Sequence, residues 1–110
     1  MRTYVHDWNG HKTAYVNDDK GFCKVNIYDE KTRIVGELYD LVVYPEWRGK
    51  GFGGELLSVA IAAARQEHCD VLVLWPDAEE LVRNWYMENG FVPDGEFRNY
   101  DNEIGWCKEL

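Results

Sequence analysis

Residues 41–54 read Leu-Val-Val-Tyr-Pro-Glu-Trp-Arg-Gly-Lys-Gly-Phe-Gly-Gly. An apolar run stops at a proline, and Gly49, Gly51, Gly53 and Gly54, four of the ten glycines in the chain, then gather around Lys50. Downstream, Leu56, Leu57, Ala60, Ile61 and Ala64 recur at helical spacing, which predicts an amphipathic helix over about residues 53–66. A strand that enters a helix through glycines is a ready anion seat. The glycines let successive backbone N–H groups turn toward one point, and the first helical turn adds its unpaired donors and the positive end of its dipole. Arg48 and Lys50 place two cations beside it.

On the N-terminal side the pattern is that of a meander. Residues 13–16 form a short strand and residues 17–21 a turn. Residues 22–28 alternate Phe22, Lys24, Asn26 and Tyr28 against Cys23, Val25 and Ile27, and residues 33–43 form a longer strand. On the C-terminal side, residues 71–75 read as a short apolar strand. Pro76-Asp77 followed by Glu80 signals a helix start, with Leu81, Val82 and Trp85 as its buried face and Gly90 as its stop. Phe91-Val92 and residues 104–108 close the chain as strands. The order strands, helix, strand, helix, strands predicts an α+β (mixed α/β) fold: a twisted, mostly antiparallel sheet flanked by helices.

At 110 residues the chain is expected to form one domain, with a core large enough to need no staple. No apolar run is long enough to span a bilayer and the N-terminus does not read as a signal peptide, so a soluble, cytoplasmic protein without membrane contact is expected. Cys23, Cys69 and Cys107 are odd in number and widely spaced, which suits buried free thiols and neither a disulfide framework nor a metal site. A net charge of −8 excludes a general basic surface for nucleic acid, and it leaves an acidic rim open to a cationic partner.

Three anion sites compete for the loop. Gly49 to Gly54 satisfies the dinucleotide spacing G-x-G-x-x-G, with Asp77 as the distal carboxylate, but residues 45–48 intervene between strand and first glycine, and the chain is short for the usual two halves. A P-loop lacks its closing Lys-Ser or Lys-Thr pair. The third site is a pyrophosphate cradle of another kind.

Here the sequence resembles the GCN5-related N-acetyltransferase (GNAT) family. Its Q/R-x-x-G-x-G/A signature stands as Arg48-Gly49-Lys50-Gly51-Phe52-Gly53, preceded by Leu41-Val42-Val43-Tyr44-Pro45. A second motif, Asn84-Trp85-Tyr86-Met87-Glu88-Asn89-Gly90-Phe91, resembles the family's x-F-Y-x-x-x-G-F. With the strand from Glu37 the two cover half of the chain. The resemblance implies that Arg48, Gly49, Lys50, Gly51, Phe52, Gly53 and Gly54 hold the pyrophosphate of acetyl-CoA as cosubstrate, without a metal. It further implies that Leu41, Val42 and Val43 carry the pantetheine arm as a strand-like partner, and that Asn84 adds a coenzyme contact. The asparagine often found seven residues before the tyrosine is Glu79 here. The family usually places two helices between its first two strands, and the residues before Glu37 leave little room for them. The acceptor side should be short and open, or a second copy in a homodimer should wall it.

The implied chemistry is transfer of an acetyl group to an amine. An ordinary lysine has a pKa of about 10.4, so holding it neutral at pH 7 costs about 4.6 kcal/mol and a base is useful. By resemblance to histone-acetylating members that base is Glu37, acting through water, with Asp40 in reserve; a separation of three puts the two on opposite faces of an ideal strand. Protonation of a thiolate by a tyrosine is uphill by about 2 kcal/mol, so Tyr86 would mainly hydrogen-bond the departing sulfur. A peptide or protein lysine or amino terminus is the expected acceptor. The competing function is a noncatalytic acetyl-CoA-binding or interaction module, and an NAD(P)-dependent reductase is more distant.

Overall fold

The computed structural model describes residues 2–8 and 10–110. Seven strands and two helices follow in the order β1 (Arg2–Trp8), β2 (His11–Asp18), β3 (Gly21–Asp29), β4 (Ile34–Val43), α1 (Phe52–Gln66), β5 (Val71–Leu74), α2 (Glu80–Glu88), β6 (Val92–Arg98) and β7 (Ile104–Glu109). They form one sheet in the order β1-β2-β3-β4-β5-β7-β6. The pairs are antiparallel except β4–β5, whose short parallel register runs from Val35↔Val71 to Glu37↔Val73. The α+β expectation therefore holds. A doubly wound parallel sheet, which a dinucleotide site requires, is absent among the described residues. No helix of the described residues is long and apolar enough to cross a membrane.

Period-two alternation decides the layers. Ala14 and Val16 of β2, Cys23, Val25 and Ile27 of β3, Leu38 of β4, and Leu72 and Leu74 of β5 point to one face. There they bury against Leu56, Leu57, Ala60, Ala63 and Ala64 of α1, with Trp85 and Tyr86 of α2 packed alongside. Both helices thus share a face. The opposite face carries a smaller cluster of Val35, Val71, Val73 and Cys107, flanked by Trp75 and Phe97. All three cysteines are free and buried, as expected.

Three stretches depart from expectation, while the little room expected for helices before Glu37 is matched by their absence between β1 and β2. β1 was not anticipated: each of its residues is exposed, so no apolar alternation marks it, and pairing along the whole of β2 holds it in place. β1 ends at Trp8 and β2 begins at His11, so no helices separate the first two strands. α2 starts at Glu80 rather than at Pro76-Asp77, and Leu81, expected to be buried, is 75% exposed on its first turn. β6 runs on to Arg98; its mostly exposed Val-Pro-Asp-Gly-Glu-Phe-Arg sequence offers no strand pattern.

The expected stop at Gly90 is present, with φ at +90° just beyond the Asn89 cap. The Gly90 N–H bonds the Met87 carbonyl and the Phe91 N–H that of Tyr86, each at 3.0 Å, closing the helix. Lys108 Nζ donates to the Asn89 carbonyl at 2.9 Å, and a methyl group at Gly90 would displace that ammonium. Gly90→Ala should therefore lower stability by about 1–2 kcal/mol, from left-handed strain plus the loosened cap bond. An unchanged urea midpoint would show that the turn relaxes freely.

Candidate active site

The site begins with an irregularity in β4. Between Phe22↔Val42 and Lys24↔Tyr39 the partner strand advances two residues while β4 advances three, and Asp40 takes φ of +51°. One extra residue is thus accommodated in β4, a β-bulge that bends the strand. Pairing of β4 with β5 ends at Glu37↔Val73, and beyond that point the two strands separate. The gap is a cavity of about 610 Å³ on the helix side, bounded by Leu38, Asp40 and Leu41 from β4, Leu74 at the end of β5, Trp75 to Asp77 after it, and Trp85 and Tyr86 from α2.

Gly53 lines the same cavity and connects it to the loop. A Cβ there would make ordinary contact with Trp85, 3.6 Å away, and with Val43 at 3.8 Å, so α2 packs against the start of α1 at this point. Gly49 and Gly51 take φ of +75° and +86°, the left-handed region, with no protein atom within 4 Å of an added Cβ. Their glycine requirement is conformational, and the space in front of them is open. The Glu55 N–H reaches Gly51 O at 3.4 Å, which leaves the N–H groups of Phe52, Gly53 and Gly54 as the unpaired first-turn donors of α1. Open space around Gly49, Gly51 and Gly54, beside the unpaired first-turn donors of α1, leaves room for an anion at this loop.

Arg48 is used differently from a simple phosphate ligand: its Nε donates to the Val43 carbonyl at 2.9 Å and ties the loop to the end of β4. Lys50 remains exposed with its ammonium 5.2 Å from the Trp47 ring. Lys20, which sequence reasoning missed, also arrives here. Gly21 pairs with Val43, and the Tyr44 N–H donates to the Lys20 carbonyl at 2.8 Å, so the β2–β3 turn is carried to the loop. No local signal in sequence joins positions 20 and 50. Val42 and Val43 extend the β4 edge beyond the bulge, and Asn84 lies half-buried on α2, outside the cavity lining.

Tyr86 lines the cavity, edge-on to Trp85 and Phe91 with ring centroids 5.0 and 5.7 Å away. Its hydroxyl makes no hydrogen bond to a described residue. Burial, helped by the nearby charge of Asp77, raises its pKa, so it stays a neutral O–H donor at physiological pH.

Glu37 is not in that cavity. It points to the face without helices, in a depression shared with Tyr28, Val73 and Trp75. Tyr28 donates its hydroxyl to Glu37 Oε1 at 3.3 Å. Burial raises the Glu37 pKa, and hydrogen bonds from Tyr28 and Asn26 draw it only partly back, so the carboxylate is a stronger base than usual. Trp75 lines both the cavity and this depression, which places it at the mouth of the strand separation; its indole N–H donates to Glu103 O at 3.0 Å. Asp40 borders the cavity but pairs with Lys24 at 3.3 Å, which makes it the weaker base candidate. Burial pushes the Cys23 thiol up to about 12 and those of Cys69 and Cys107 to about 11, so none is a ready nucleophile.

Comparison with known proteins identifies the family and the fold. The family model described as acetyltransferase (GNAT) domain matches residues 4–93. An uncharacterized N-acetyltransferase of Archaeoglobus fulgidus is 32% identical over 71 residues, 64% of this chain and 46% of that protein. N-alpha-acetyltransferase 30 of Saccharomyces cerevisiae is 32% identical over 83 residues, 74% of this chain and 47% of that protein. The chain thus spans less than half the length of these relatives. Among solved structures, the PaiA N-acetyltransferase of Thermoplasma acidophilum in complex with coenzyme A superposes with a TM-score of 0.63 at 18% identity, over 89% of this chain and 60% of that one.

Proposed function

The chain belongs to the GNAT acetyltransferase family, and from that premise we propose that it transfers an acetyl group from acetyl-CoA directly to a primary amine. The observation that carries this reading is the end of β4–β5 pairing at Glu37↔Val73, where Trp75 borders both the cavity lined by Gly53 and Tyr86 and the depression that holds Glu37. Residues 48–54 hold the pyrophosphate, and the β4 edge at Leu41, Val42 and Val43 guides the pantetheine arm to the gap. Bound acetyl-CoA supplies the activated acyl carbon. Glu37, through water, takes the proton that the ammonium of the acceptor must lose before its nitrogen can attack. Tyr86 donates a hydrogen bond to the sulfur as the C–S bond breaks, and the thiolate finally gains a proton to leave as the thiol.

The acceptor is a lysine or amino terminus on a peptide or protein. The sheet face around Glu37 carries Tyr28, Tyr39 and Tyr100 and is bare of helices among the described residues, so a small amine would find few walls there while a peptide brings its own surface. Its carboxylates and the net charge of −8 favour a cationic approach. The resemblance to an N-alpha-acetyltransferase supports the same class. A cytoplasmic protein, with a second copy walling the acceptor side, is compatible with this reading. Release of coenzyme A thiol from acetyl-CoA, measured with a panel of peptides, polyamines and amino acids, tests it. Thiol release with no amine tried would favour a binding module, and a small amine preferred by orders of magnitude in kcat/KM would overturn the acceptor class.

Glu37→Gln should lower the rate about tenfold near pH 7. Because the Glu37 pKa is raised, the wild-type rate should fall as pH drops through a value above the ordinary carboxylate range of about 4.3, where the base becomes protonated. The variant should lack that acid limb and close the gap at high pH, where more acceptor is already neutral. A loss that is uniform across pH would remove Glu37 from the base role.

A further inference from the structure

Beside the glycine cradle, side chains from two distant parts of the chain meet around one indole. The Lys20 ammonium lies 5.6 Å from the Trp47 ring and 4.7 Å from that of Phe52, and the Lys50 ammonium lies 5.2 Å from the same Trp47 ring. Trp47 and Phe52 pack edge to face at 5.6 Å. The placement of Lys20 is built into the fold: its carbonyl accepts from Tyr44 at 2.8 Å, and its N–H donates to Asp18 Oδ1 at 3.0 Å. Its ammonium lies 4.0 Å from Asp19, whose side chain is 81% exposed, and within electrostatic reach of the exposed Asp18, and solvent screens both attractions. Two ammonium groups held at one indole are conspicuous in a chain of net charge −8.

This arrangement has more positive charge than a pyrophosphate cradle needs, since α1 already supplies first-turn donors there. Besides its pyrophosphate, coenzyme A has a third phosphate at the 3′ position of its adenosine, which carries close to two negative charges at neutral pH, and a purine next to it. The Lys20 and Lys50 ammonium groups both lie over the Trp47 indole, and that pair of cations attracts the phosphate. We infer that Lys20, Trp47 and Lys50 form a second anion site that takes the 3′-phosphoadenosine end of the donor. The site makes this chain select coenzyme A thioesters over donors that end at a phosphopantetheine, such as an acyl group on a carrier protein. This inference rests on the acetyl-CoA reading, and it assigns to Lys20 and Trp47 a role in donor specificity.

Titration calorimetry with coenzyme A and with 3′-dephospho-coenzyme A tests it without recourse to activity. The wild type should bind coenzyme A about tenfold more tightly than the dephospho compound. Lys20→Met, which keeps the aliphatic stem against Phe52, should weaken coenzyme A about fivefold and leave the dephospho compound unchanged, and Lys20→Arg should retain the preference. Equal affinity of the wild type for both compounds, or an equal loss of both in folded Lys20→Met, would overturn the inference while leaving the transferase reading intact. No binding of either compound would overturn both.

Discussion

Gly51→Val should fold and yet lose about 100-fold in affinity for acetyl-CoA. Gly51 holds φ at +86°, which a β-branched residue reaches only at a cost of about 1–2 kcal/mol. Beyond the adjacent residues no atom lies within 4 Å of an added Cβ, so the substitution points into open space and the fold, with its core elsewhere, can carry that strain. The loop can relieve it by rotating away from the left-handed conformation, and that rotation turns the neighbouring N–H groups off their common direction at the first turn of α1. Losing one or two charge-assisted hydrogen bonds, each worth about 1.5–3 kcal/mol, corresponds to about 100-fold. Calorimetry on a variant whose circular dichroism matches the wild type measures the effect. Wild-type affinity there would reduce residues 48–54 to a structural turn.

Tyr86→Phe should reduce kcat about 10- to 100-fold with the dissociation constant for acetyl-CoA nearly unchanged. The substitution keeps the ring against Trp85 and Phe91 and keeps the backbone carbonyl that accepts from Phe91, so helix and cavity persist. What disappears is a hydroxyl that no described residue engages and whose raised pKa keeps it protonated. The raised pKa also makes complete proton transfer to sulfur less favourable, so the hydroxyl acts by a hydrogen bond that strengthens as charge develops there. Such a bond favours the transition state over the bound thioester and appears in kcat. Full turnover in the variant would return Tyr86 to a packing role, and a matching loss of affinity would show ground-state binding instead.

Much of this architecture was legible in the chain. The alternation of Cys23, Val25 and Ile27 and the spacing of Leu56, Leu57, Ala60 and Ala64 reflect burial on one face of a strand and of a helix, and burial imposes those periods directly. The glycines of the loop were legible because a left-handed turn has few alternatives to glycine, as Gly49 and Gly51 bear out. β1 and β6 were not fully legible, because their exposed residues leave register with a neighbour, and not apolar pattern, to hold them in the sheet.

The sequence by itself determined the strand–loop–helix unit and its anion-seeking chemistry, for which local conformational preference and residue type suffice, and its resemblance to the GNAT family pointed to Glu37 and Tyr86. Only the tertiary structure decided that those two residues stand on opposite sides of the sheet, with Trp75 lining the space on both sides. An extra residue at Asp40 shifts the register of β4, a feature that depends on the partner strand and leaves no mark in residue type. Only the tertiary structure, too, brought Lys20 to Trp47 and Phe52, because pairing of Gly21 with Val43 joins segments far apart in the chain. Local periodicity reports which way a side chain faces, whereas strand pairing decides what it faces.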